Sequence, residues 1–244
     1  MSGKDSPPFL SIIVPAYNEA SRIEGTLEQI ATYLHSRPFS AELLVVDDGS
    51  FDDTARRVEE MARPDGCIRL LRTPHRGKGH AVKSGMAAAR GERRFFCDAD
   101  LSMPIAELDR FLDPSLSQFD VVIGSREAEG AHRVGEPRLR HFLGRAYNLL
   151  ARLLVRDIKD TQCGFKLFRA AAAEQLFALQ RLDGFGFDVE VLFLAQRRGW
   201  RLKELGVDWY YMPQSKVRPL RDSLRVFRET LQVWLNHRRG LYGP

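Results

Sequence analysis

Short apolar runs alternate with helix-spaced segments through the first half of this 244-residue chain, and that alternation restricts the fold more than any other feature. Ser11–Val14 is an apolar run closed by Pro15, and Ile23, Leu27, Ile30 and Leu34 then recur at helical spacing. Leu43–Val46 reads as a second strand, and Asp52-Asp53-Thr54 offers N-caps to a helix carrying Val58 and Met61. Ile68–Leu71 is a third strand, Gly77–Ala89 an Ala-rich helix stopped by Gly91, and Arg94–Cys97 a fourth strand. Pro104 opens a helix with Ile105, Leu108 and Leu112 inward, and Asp120–Ile123 is a fifth strand. Strands joined in this way make right-handed crossovers, and runs apolar throughout suit strands covered on both faces. The expected class is α/β, a single Rossmann-like, mostly parallel sheet flanked by helices.

In such sheets ligands bind outside the carboxyl ends of the strands. Polar clusters stand at those ends: Tyr17-Asn18-Glu19, Asp47-Asp48-Gly49-Ser50, Asp98-Ala99-Asp100 and Gly124-Ser125-Arg126. Asp98 and Asp100 are two apart and share a face. Carboxylates this close repel unless a positive charge sits between them. A hard divalent cation supplies that charge and bridges to nucleotide phosphates, whereas the rival reading is a solvated pair of strand-end aspartates. Lys78, between Gly77 and Gly79 at a helix start, is either a phosphate ligand or a solvated loop lysine. Arg126 is a stronger phosphate clamp, because a guanidinium matches two phosphate oxygens at once.

The formal net charge of +5 suits an anionic partner without choosing among nucleotide, phospholipid surface and nucleic acid. Nucleic acid is not expected, since the basic residues lack an aromatic stacking platform. Cys67, Cys97 and Cys163 are odd in number and widely spaced, which gives no disulfide framework or zinc pattern and suits a reducing compartment. The first residues carry no signal-peptide core, and no apolar window reaches about 18 residues, so a membrane would be touched rather than crossed.

The second half differs. Residues 132–156 form a basic amphipathic stretch, with Arg133, Arg138, Arg140, Arg145, Arg152 and Arg156 among leucines and Phe142. Gly164–Phe168 reads as a short strand, Phe187–Arg197 as an apolar helix with Asp188 and Glu190 near its start, Leu202–Trp209 as an edge strand, and Arg221–Arg239 as a second amphipathic helix. For both amphipathic stretches, packing on the sheet and lying among lipid headgroups stay open. The expected organisation is a disordered N-terminus at 1–8, one domain at 9–218, and a C-terminal amphipathic helix and tail at 219–244.

Val14-Pro15-Ala16-Tyr17-Asn18-Glu19, Val46-Asp47-Asp48-Gly49-Ser50, Gly77-Lys78-Gly79, Asp98-Ala99-Asp100 and Gly124-Ser125-Arg126, in that order, resemble the family 2 glycosyltransferases of GT-A fold. Asp160–Phe168, Phe187-Asp188-Val189-Glu190 and Ser215-Lys216 are similar to the dolichyl-phosphate β-glucosyltransferase and polyprenyl-phosphate glycosyltransferase branch. The resemblance implies that Pro15, Ala16, Tyr17, Glu19 and Asp47 hold the base and ribose of a nucleotide sugar, a UDP- or GDP-hexose. It implies that Asp98 and Asp100, with Ala99 between them, hold Mg²⁺ or Mn²⁺ against the diphosphate. Gln162, Cys163 and Gly164 would floor the sugar, and Arg126, Arg140 and Lys216 would meet the acceptor phosphate. Two positions depart from the pattern: Ser102 stands where part of the family has a metal-contacting glutamine, and Tyr210 where an arginine usually precedes the acceptor-side lysine.

A carboxylate near Asp188 acts as base in relatives with hydroxyl acceptors. A lipid phosphate is already anionic, so Asp188 is read as positioning Arg126 or Lys216, or as a carboxylate favoured by the helix dipole. The expected function is inverting, metal-dependent transfer of a hexose, glucose from UDP-glucose as first choice, to a polyprenyl or dolichyl phosphate. The catalytic set is Asp98, Asp100, Arg126 and Asp188, in a protein peripheral at the cytoplasmic face of a membrane. A soluble glycosyltransferase with a hydroxyl acceptor and a non-catalytic nucleotide-sugar binder are the alternatives.

Overall fold

Seven strands form one sheet in the order β3-β2-β1-β4-β7-β5-β8 in the computed structural model, which describes residues 6–62, 67–135, 137, 144–145, 148–149, 151–212 and 219–243. β1 (Leu10–Ala16), β2 (Ala41–Asp47), β3 (Ile68–Arg72) and β4 (Arg93–Cys97) are parallel, as the alternation with helices predicts. The crossovers are α1 (Ile23–His35), α2 (Thr54–Met61) and α3 (Lys78–Ala88), with a short α4 (Leu108–Phe111) following β4. At the start of α2, the N-cap Asp53 makes no side-chain cap bond and pairs with Arg56, while the Asp52 carboxylate one residue earlier accepts from the Thr54 backbone N–H at 3.0 Å.

The pleat of β1 divides the core. Leu10, Ile12 and Val14 pack under α1 with Ile23, Leu27, Ile30 and Leu34, the predicted stripe. Ile13 faces the other side, with Ala81, Val82 and Met86 of α3. That second layer also takes α5 (Ala170–Leu179), α6 (Phe187–Arg197) and α7 (Pro219–Arg238), the last through Val226 and Val233. Complete burial of one such aliphatic side chain contributes about 1.5–3 kcal/mol.

The sheet departs from the simple alternation in one place that matters for the site. β7 (Phe165–Arg169) enters antiparallel between β4 and β5 (Val121–Ser125), so the fourth and fifth strands are not neighbours. The segment read as one edge strand divides at Val207. β8 (Leu202–Gly206) closes the large sheet beside β5, and β9 (Asp208–Tyr210) pairs in parallel with β6 (His132–Val134) in a separate ribbon. The basic stretch therefore opens with a strand, not a helix. Among the described residues no helix is long and apolar enough to cross a membrane.

Candidate active site

The loops after β1 and β2 are stitched together. Asn18, held in the left-handed region at φ 54°, accepts from the Phe51 N–H at 3.0 Å and donates its own N–H to the Ser50 hydroxyl at 2.8 Å. The Glu19 N–H donates to the Thr54 hydroxyl at 2.7 Å, and the Glu19 carboxylate pairs with Arg22. Pro15 and Ala16 end β1 against Val46 and Asp47. The Tyr17 ring stacks on His75, with centroids 3.9 Å apart and planes 12° apart, and the exposed Phe51 ring stands edge-on to it. Buried Asp47 accepts from the Ser50 N–H at 3.3 Å.

Asp48, to which sequence reasoning gave no role of its own, organises the next loop. Its buried carboxylate accepts from the Arg76 and Gly77 N–H groups at 3.0 and 2.9 Å, and His75 Nδ1 lies 2.8 Å from it. Gly77 sits at φ 127°, where a side chain would also run into the Asp183 carbonyl. Only glycine accepts that conformation cheaply. The turn delivers Lys78 as the first residue of α3.

Asp98 and Asp100 leave the end of β4 in a tight turn. The Leu101 N–H donates to the Asp98 carbonyl at 3.1 Å, the Ser102 N–H donates to Asp100 Oδ1 at 3.0 Å, and the Thr26 hydroxyl donates to the Ala99 carbonyl at 2.6 Å. Lys78 Nζ lies 2.5 Å from Asp98 Oδ1. Burial pulls the Lys78 ammonium toward deprotonation, but the combined charge of Asp98, Asp188 and Asp100 outweighs it and raises the pKa.

Of the two readings of Asp188, its place at the start of the helix agrees with a carboxylate favoured by the dipole, while Lys216 lies outside the described residues and the cation that Asp188 meets is one the sequence did not single out. In the first turn of α6, Asp188 ion-pairs with Lys166 of β7, both side chains fully enclosed, and it acts on Lys78 electrostatically. Burial raises the Asp188 carboxyl, against the pull of Lys166 and Lys78. Lys166 also donates to the Cys163 carbonyl at 2.7 Å. An apolar run hides this lysine from sequence reasoning; its one signal is a charge inside a strand that reads as buried. Glu190, two residues on, turns away from this cluster to accept from the Arg181 and Leu182 N–H groups and the Tyr242 hydroxyl.

The start of β7 floors the acidic pair. A Cβ at Gly164 would collide with the Asp98 carboxylate, so glycine is what lets that carboxylate sit where it does. Cys163 is buried against Met103, and burial pushes its thiol up to about 12, which removes it as a nucleophile. Gln162 donates its N–H to Asp160 at 3.2 Å, and its buried Nε2 has no hydrogen-bond partner among the described residues.

Arg126 is held by buried Asp160 at both ends of its guanidinium, 2.7 and 2.9 Å, and through its backbone N–H at 3.0 Å. Burial alone would raise the Asp160 carboxyl, yet Arg126 holds it well below the usual carboxylate range. The Arg126 guanidinium also lies over the Trp209 ring, 5.9 Å from its centroid. Arg140 and Lys216 lie outside the described residues. Thus Lys78, Asp98, Asp100 and Asp188 form one cluster, Tyr17 and Asp47 stand on the neighbouring strand ends, and Arg126 joins Gln162 through Asp160.

The acidic pair fits a hard cation. Its donors are carboxylate oxygens alone, and the Asp98 carboxylate already holds a positive charge, that of Lys78. No cluster of three His, Cys, Asp or Glu side chains occurs among the described residues. Two carboxylates with substrate phosphates is the ordinary provision for Mg²⁺ at nucleotide sites.

Residues 11–177 match glycosyl transferase family 2. The chain belongs to this family. This family 2 glycosyltransferase is 36% identical over 97% of its length to dolichyl-phosphate beta-glucosyltransferase ALG5C of Trichomonas vaginalis, covering 74% of that relative. It is 33% identical to the dolichyl-phosphate beta-glucosyltransferase of Dictyostelium discoideum, over 96% of this chain and 76% of the other. The human dolichyl-phosphate beta-glucosyltransferase is 31% identical, over 98% and 79%. Glucosyl-3-phosphoglycerate synthase of Mycobacterium tuberculosis, solved with Mn²⁺, UDP and glucosyl-3-phosphoglycerate, superposes with a TM-score of 0.67 at 20% identity, over 94% of this chain and 79% of that one. Its complex with Mg²⁺ and UDP gives 0.66, over 93% and 79%. These likenesses establish the GT-A fold.

Proposed function

We propose that this family 2 glycosyltransferase moves glucose from UDP-glucose to the phosphate of a dolichyl or other polyprenyl phosphate, with inversion at the anomeric carbon. The relatives' names support the acceptor and the sugar. The single structural observation that carries the reading is the cluster of Asp98, Asp100 and Lys78 at the sheet rim, a charge arrangement suited to a sugar diphosphate.

In this reading the Tyr17–His75 stack and Asp47 take the base and ribose, beside Pro15, Ala16 and Glu19. Asp98 and Asp100 would hold Mg²⁺ or Mn²⁺, which when bound offsets charge on the departing diphosphate. Lys78 adds a positive charge on the same side, and Gln162 offers to the sugar its Nε2, which has no partner among the described residues. Arg126, aimed by Asp160, presents the acceptor phosphate with Arg140 and Lys216. The attacking phosphate oxygen needs no base at pH 7, and Asp188 serves by fixing the charge around Lys78. Charge fixed in place before the reaction begins supplies much of the rate enhancement in group transfer.

The reading includes a peripheral place at a membrane surface, on its cytoplasmic face in keeping with the free cysteines Cys67, Cys97 and Cys163. Its support is α7, which exposes Phe227, Leu231 and Trp234 at helical spacing, with Arg238 over the Trp234 ring. Leu149 and Leu153 are likewise exposed, beside Arg145 and Arg152. Such faces lie among headgroups, with arginines near anionic lipid.

The test incubates the protein with Mn²⁺, a short polyprenyl phosphate, and radiolabelled UDP-glucose or GDP-mannose in separate arms. Label from UDP-glucose entering the organic phase is expected. Label found only in a water-soluble product, or only from the GDP arm, would refute the acceptor or the donor respectively.

A further inference from the structure

We propose that Lys78 is a stand-in cation: in the donor-free protein its ammonium holds the carboxylate that a divalent metal would use, so the metal enters effectively only together with the nucleotide diphosphate. This rests on the metal-assisted reading above.

The local charge balance supports it. Asp98 is paired with Lys78, Asp188 and Asp100 act on it electrostatically, and Lys166 is locked to Asp188. Three carboxylates against two ammonium groups leave one net negative charge for an incoming metal; without Lys78 there would be two. The Lys78 Nζ already sits on Asp98 Oδ1, and that carboxylate occupies the space a side chain at residue 164 would need. An ammonium and a divalent ion therefore compete for Asp98.

A diphosphate changes the competition. It brings new negative charge and gives Lys78 an alternative partner. The backbone at Lys78 is fixed, since Gly77 is bonded to Asp48 and wedged against Asp183. The four-carbon stem can swing from that anchor while α3 stays in place. Metal and nucleotide then bind with positive coupling, and by linkage each raises the other's affinity by the same factor.

The experiment titrates Mn²⁺ alone into the whole protein and reads free Mn²⁺ by its paramagnetic resonance signal, with and without UDP. The wild type should bind Mn²⁺ weakly alone and more tightly with UDP. Lys78→Met should bind Mn²⁺ alone about 5-fold tighter or more, with the UDP effect reduced correspondingly. Lys78→Arg keeps the charge and should stay near wild type, and thermal melts confirm that all variants fold. Adding Asp98→Asn to Lys78→Met should abolish the gain; a gain that survives it overturns the proposal. If UDP promotes Mn²⁺ binding in the wild type but Lys78→Met leaves binding of Mn²⁺ alone unchanged or weaker, the stand-in role falls and the metal reading stands. If no variant binds Mn²⁺ even with UDP, both fall.

Discussion

Gly164→Ala adds one carbon to the floor of the site, and the structure says where it goes. A Cβ there lies 2.5 Å from Asp98 Cγ and 2.7 Å from Oδ1, with Oδ2 closer still. Ordinary contact begins near 3.4 Å, so the carboxylate must retreat by about 1 Å. The Asp98 side chain is about one-third exposed and can swing toward solvent, so the fold should lose little, about 1 kcal/mol or a Tm drop of ~2–4 °C. Catalysis should lose more, because a misplacement of ~1 Å costs up to ~100-fold. We expect kcat/KM for transfer of labelled glucose to a short polyprenyl phosphate to fall about 10- to 100-fold, or about 1.4–2.7 kcal/mol in transition-state stabilisation. A well-folded Gly164→Ala protein within 3-fold of wild type would show that Asp98 does not need its observed position, and the assignment of the acidic pair would fail.

Asp160→Asn removes the charge that aims Arg126. It should destabilise the protein by about 2–3 kcal/mol, a Tm loss of roughly 5–10 °C near pH 7. The Asp160 pKa is lowered by folding, so its stabilisation is complete above the unfolded value near pH 4 and disappears as pH falls through the folded value. Wild type and variant melts should therefore converge on acidification below about pH 4, and parallel curves would contradict the assignment. Lys166→Met strands the buried Asp188 and should cost about 3 kcal/mol, whereas adding Asp188→Asn should recover part of it; simple additivity in thermal melts would deny the pair. Tyr17→Ala should raise KM for UDP-glucose about 5- to 10-fold with little change in kcat, and an unchanged KM would remove the ring from the base site. Replacing Phe227 and Trp234 together with Glu should cut co-sedimentation with anionic vesicles at least ~10-fold at unchanged Tm, and undiminished binding would place the membrane face elsewhere.

Much of the site was legible because its residues stand at the ends of strands that announce themselves locally. Tyr17, Asp47 and Asp98 follow apolar runs, and a parallel sheet brings such ends to one edge. The stripe on α1 was readable for the same reason: helical periodicity is written in neighbouring residues. What stayed hidden depended on pairings between distant segments. Asp48 looked like a companion of Asp47, yet it works by gathering the N–H groups of Arg76 and Gly77. Asp188 carried no sign of which cation it would meet.

The sequence by itself determined the α/β class, the family and the run of polar strand ends, because each depends on short-range pattern and on residue types in order. The tertiary structure decided which charges meet. β7 runs antiparallel into the middle of the sheet, next to β4 although dozens of residues separate them, and so sets Gly164 under Asp98 and Lys166 under Asp188. No local signal specifies such a pairing, since an apolar run reads the same at an edge or in the centre. Enclosure on both faces is what couples these charges tightly, and that is a property of the packed sheet.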